Sequence, residues 1–88
     1  MSSPVELYKN GNYLECINAI NSRAEQDTSI LNLKGVCYMR QGNAIAAIEL
    51  FESVLAVDAG NTEATANMKG ALMLKSSLES DTANQQFR

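Results

Sequence analysis

The apolar positions of this chain recur at helical spacing, interrupted by short polar turns. From Tyr13 the residues Tyr13, Cys16, Ile17, Ile20 and Ala24 follow the i, i+3, i+4, i+7 rule, which predicts an amphipathic helix over about 13–25. Ahead of it, Ser3-Pro4-Val5-Glu6 supplies a capping Ser, a Pro suited to the first helical position and a Glu in the first turn. A short helix over about 4–10 follows from that start signal. Asp27 or Thr28 caps a third helix over about 28–41, carrying Ile30, Leu31, Leu33, Gly35, Val36, Tyr38 and Met39. The fourth, about 44–58, has the stripe Ala44, Ala47, Ile48, Phe51, Val54 and Leu55, with Ile45, Leu50 and Val57 beside it. A helix this apolar around its circumference is normally held between neighbours. A fifth runs from Asn61 or Thr62 through Ala66, Met68, Gly70, Leu72, Met73 and Leu74 to about residue 79. Residues 80–88 are polar apart from Phe87 and read as a frayed C-terminal tail.

The segments repeat. Gly11-Asn12 recurs as Gly42-Asn43, and Asn32-Leu33-Lys34-Gly35 recurs as Asn67-Met68-Lys69-Gly70. The spacing is close to the ~34 residues of a helix-turn-helix repeat. Gly accepts the left-handed backbone that ends one helix and Asn can cap the next, so each Gly-Asn pair is suited to an inter-helix turn.

In the middle unit, Leu31, Gly35, Tyr38, Gly42, Ala47 and Phe51 fall where the tetratricopeptide repeat (TPR) signature has its large, glycine, aromatic, turn, small and aromatic residues. The chain resembles that family over about residues 4–79. Gly11, Tyr13, Cys16 and Ile20 match the second half of a preceding unit, and Ala66, Gly70 and Met73 the first half of a following one. It departs from the pattern at Lys34, Ala44 and Ala59, which stand where a Leu, an aromatic and a Pro are usual. The resemblance implies an all-α fold in residues 1–79, with antiparallel helix hairpins stacked as a short right-handed α-solenoid of about two and a half repeats. Such arrays usually need about three units. Either the last helix acts as a cap, or self-association covers the open face, or the chain belongs to a longer protein.

In this family the first helices of successive units line a concave groove for a peptide. Carried onto this sequence, the groove residues are Val5, Tyr8 and Lys9 from the first helix. Asn32, Val36, Met39 and Arg40 come from the third, and Asn67, Ala71, Leu74 and Lys75 from the fifth. Asn32 and Asn67 would hydrogen-bond a ligand backbone, while Lys9, Arg40 and Lys75, each read as two residues before an inter-helix turn, would form a basic ladder. An acidic peptide or a carboxylate terminus suits such a face. A cation in the last helical turn also stabilises the helix by about 0.3–1 kcal/mol without any ligand. The carboxylate clamp of some family members is not reproduced, because Val5 and Leu33 stand where that pattern wants polar groups.

Charge and composition narrow the remaining classes. The net charge of −3 argues against nucleic acid, whose phosphates need a surplus of Lys and Arg. No apolar run approaches the ~20 residues of a membrane span, and the start of the chain lacks a secretory signal, so the expected location is cytoplasmic. With no His, no phosphate loop and carboxylates scattered over solvated faces, neither catalysis nor a cofactor is expected. Cys16 and Cys37 sit inside apolar patterns and read as reduced core residues, not metal ligands. The expected function is a protein-interaction module, an adaptor or scaffold holding a protein or peptide segment. The alternatives are a self-assembling structural subunit, which would be a homo-oligomer, or the docking domain of a larger enzyme.

Overall fold

The computed structural model describes residues 3–86, and those residues form five α-helices: α1 (Pro4–Lys9), α2 (Tyr13–Asn21), α3 (Thr28–Arg40), α4 (Ala44–Val57) and α5 (Thr62–Gln86). Helix starts follow the capping chemistry of the sequence. The Glu6 amide donates to Ser3 Oγ (3.3 Å), the Ile30 amide to Asp27 Oδ1 (2.9 Å) and the Ala64 amide to Asn61 Oδ1 (2.8 Å). Asn43 caps α4 through the Ala46 amide at 3.2 Å, whereas Asn12 makes no side-chain cap to α2.

The two Gly-Asn turns share one geometry. Gly11 and Gly42 both adopt φ of 80°. In the first turn the Asn12 amide donates to the Leu7 carbonyl (2.8 Å) and the Gly11 amide to Tyr8 (3.0 Å). In the second, Asn43 donates to Tyr38 (2.9 Å) and Gly42 to Met39 (3.0 Å). This paired pattern satisfies the last carbonyls of each helix and requires a left-handed residue at the glycine position.

Two boundaries differ from the sequence pattern. α2 ends at Asn21, short of about 25, because its terminal carbonyls find side-chain partners: Ser22 Oγ donates to Ala19 O (2.8 Å) and Gln26 Nε2 to Ile20 O (2.9 Å). Ala24, counted in the apolar stripe, is exposed and too small to hold another turn against the core. α5 continues through Gln86, beyond about 79, since neither Gly nor Pro interrupts residues 71–86. Phe87 lies outside the described residues.

Each helix packs on the next in sequence, and α3 also meets α5 directly. The core has two parts. Cys16, Ile17, Ile20 and Cys37 join α2 to α3, with Leu7, Tyr8, Tyr13 and Leu33 packed around them. Ala47, Phe51 and Ala71 join α3, α4 and α5, with Val36, Met39, Ile48 and Met68 around them. Tyr38 touches both, so α3 is the shared wall. Its closest approach to α4 is at Gly35: a methyl group there would stand 2.5 Å from Phe51 Cε1 and 2.7 Å from Cζ. Among the described residues α4 packs mainly against α3 and α5, and its Ile45 is 60% exposed.

Both thiols are free and buried. Cys16 Sγ donates to the Pro4 carbonyl at 3.1 Å, tying α2 to the start of α1. Burial, and then the adjacent Cys16 thiol, push the Cys37 thiol up from 9.0 to about 12. At neutral pH it is therefore a small apolar side chain with no nucleophilic character.

Candidate functional site

A cleft of roughly 280 Å³ opens between α3 and α5, lined by Val36, Met39, Arg40, Asn67 and Leu74. All five follow from the helical phase of the two elements. Val36, Met39 and Arg40 occupy one side of the last turns of α3, and Asn67 and Leu74 stand two turns apart on α5. Val36, Met39 and Leu74 are half-buried and make an apolar floor, while Arg40 and Asn67 supply donors at the edge. Tyr8 of α1 adjoins the cationic end. Hydrogen bonding to its phenol, followed by electrostatic attraction to Tyr8 and Tyr13, raises Arg40 above its ordinary value. The guanidinium is a permanent cation in any case. The Tyr8 and Tyr13 rings pack with centroids 5.7 Å apart at 54°.

The remaining residues expected in a groove are placed otherwise. Asn32 is fully buried, donating from Nδ2 to Asn61 Oδ1 at 3.2 Å, and its own Oδ1 has no partner among the described residues. It latches α3 to the α4–α5 turn and cannot reach a ligand, so the Asn32–Asn67 row does not exist as a surface. Ala71 is likewise fully buried, packed with Phe51 and Ala47, because the phase of α5 turns it inward. Val5 (46% exposed) and Lys9 lie on the surface of α1, away from the cleft lining. Lys75 turns toward α4 and pairs with Glu79 at 3.5 Å, so it is not in line with Arg40 in a basic ladder.

A second concave surface, which the sequence reading passed over, lies on the other side of α5. Ile45, Ile48, Glu49 and Glu52 of α4 face Lys75, Leu78 and Glu79 of α5 across two adjoining hollows of about 330 and 170 Å³. The available signal was the apolar circumference of α4, on which Ile45 is left exposed.

Among the described residues, no group of three or more His, Cys, Asp or Glu side chains could hold a metal ion. Among those residues, too, no helix is long and apolar enough to cross a membrane. Comparison with protein-family models, with curated proteins and with solved structures returned no match.

Proposed function

We propose that this protein is a TPR-like interaction module that holds an extended or helical segment of another protein in the α3–α5 cleft. The observation carrying this reading is convergence: two helices that are not consecutive in sequence bring apolar, cationic and amide side chains to one hollow. An aliphatic side chain of the guest seats on Val36, Met39 and Leu74. A guest carboxylate or carbonyl meets Arg40, and its backbone meets the Asn67 amide. The proposed architecture is a short right-handed solenoid of stacked hairpins. Its support is the identical geometry of the turns at Gly11 and Gly42, the direct α3–α5 packing, and the close approach of Gly35 to Phe51.

Burying one aliphatic side chain contributes about 1.5–3 kcal/mol and one charge-assisted hydrogen bond about 1.5–3 kcal/mol. After the cost of association, such a hollow by itself supports affinities of roughly micromolar or weaker. The test is affinity capture from native cell extract with the wild type and the double variant Arg40→Glu/Asn67→Ala side by side. Both substituted residues lie at the cleft edge, so helicity should be unchanged while the captured partner is lost. Equal capture by the two proteins would remove the cleft from consideration.

A further inference from the structure

The α4–α5 face has a different character from the α3–α5 cleft. Its two hollows share Ile45 and Lys75 and so form one trench. Ile45, Ile48 and Leu78 provide an apolar floor, and Ile45 and Leu78 are 60% and 44% exposed. The rim is acidic: Glu49 and Glu52 on α4 and Glu79 on α5, against the ammonium of Lys75. Lys75 is engaged by Glu79, and among the described residues neither Glu49 nor Glu52 has an ion-pair partner. The walls are two packed helices, and Ile45, Ile48, Glu49 and Glu52 stand at i, i+3, i+4 and i+7 along one of them. A ridge with the same periodicity fits such a wall.

We propose that this trench seats a basic amphipathic helix of another protein, with an aliphatic stripe over Ile45, Ile48 and Leu78 and Lys or Arg side chains reaching Glu49 and Glu52. The choice of occupant follows from charge. A second copy of this chain docking through the same face would set three carboxylates and one ammonium against an identical set, and like charges repel. A basic helix meets the two unpaired carboxylates and covers the floor at once. The site is separate from the α3–α5 cleft and opposite to it in sign, so its fate does not depend on the function proposed above.

The test uses a labelled synthetic helix of about 14 residues, four turns, with Leu at i, i+3, i+4 and i+7 and flanking Lys. A control peptide carries Glu in place of every Lys. Fluorescence anisotropy should show the Lys peptide binding at least about tenfold more tightly than the Glu peptide. That preference should fade between about 0.1 M and about 0.5 M salt. Glu49→Lys/Glu52→Lys should weaken the Lys peptide about tenfold or more, Ile45→Asp should abolish its binding, and Arg40→Glu should leave it unchanged. Ile45, Glu49 and Glu52 are all exposed, so these variants keep the core intact, which circular dichroism would verify. Equal binding of the two peptides, no binding of either, or loss of binding on Arg40→Glu would overturn the proposal. So would a dimer in analytical ultracentrifugation that Ile45→Asp converts to monomer, because the occupant would then be a second copy.

Discussion

Gly35→Ala tests whether the hairpin of α3 and α4 depends on direct backbone approach. The added methyl would sit 2.5 Å from Phe51 Cε1, 2.7 Å from Cζ and 3.1 Å from Cδ1. Ordinary carbon contacts lie near 3.5–4.0 Å, so the ring or the helix must retreat by about 1 Å. Phe51 is completely buried among Ala47, Ala71 and Val36, and its ring has no free end to swing aside. Overpacking of this kind costs about 1–3 kcal/mol, while replacing Gly by Ala inside a helix returns about 0.5–1 kcal/mol. A 2.5 Å approach to a fully buried ring belongs to the upper part of that cost, about 2–3 kcal/mol, so the expected net loss is about 1–2 kcal/mol, or roughly 4–16 °C in Tm for a domain of this size. Urea unfolding followed by far-UV circular dichroism measures it. Gly70→Ala is the internal control: its methyl meets only Met39 Cε, at 3.1 Å, the end of a flexible side chain. That variant should be neutral or more stable by up to about 1 kcal/mol. Phe51→Leu should relieve part of the Gly35→Ala penalty, giving a double-mutant coupling of about 0.5 kcal/mol or more. Gly35→Ala as stable as the wild type, or strictly additive with Phe51→Leu, would refute the packing argument.

Asn61→Ala should cost about 2–3 kcal/mol, more than an ordinary cap, because it removes the α5 cap and also strands the buried Asn32 amide. In an Asn32→Leu background the same substitution should cost only about 1 kcal/mol, a difference that denaturant titration resolves. Gly42→Ala, at φ of 80° with open space around it, should lose about 1–2 kcal/mol from backbone strain alone, with Gly42→Asn less affected in the same unfolding assay. The Cys37 thiol is raised in the folded protein, so the unfolded chain releases its proton first and binds fewer protons above pH about 9. Stability should then fall as pH rises between about 9 and 12, by up to about 1.4 kcal/mol per unit, and Cys37→Ala should flatten that decline. A thiol reagent at neutral pH should label neither cysteine until the protein unfolds.

Local signals in the sequence determined the helices. Ser3, Asp27, Asn43 and Asn61 fix where four of them begin, and Gly11 and Gly42 fix where two end, because a cap or a left-handed residue acts through bonds within a few residues. The apolar phase likewise marked Cys16, Ile20, Phe51 and Val54 as interior. Val36, Met39 and Leu74 were pointed to as groove residues by the resemblance to the repeat family, not by phase. What tertiary structure decided was which of the same-phase polar residues remain available to a partner. Asn32 and Asn67 occupy equivalent places in the repeated segments, yet Asn32 meets the α4–α5 turn and is consumed by Asn61, while Asn67 stays at the cleft edge. Arg40 is the last residue of α3, whereas α5 runs on past Lys75 and supplies Glu79 one turn later, drawing the ammonium to the α4 side. A helical period states the direction in which a side chain leaves its own axis. Whether it arrives at solvent, at a neighbour or at a hollow depends on where the other helices lie, and that is set by the packing of Gly35 on Phe51 and of α3 on α5.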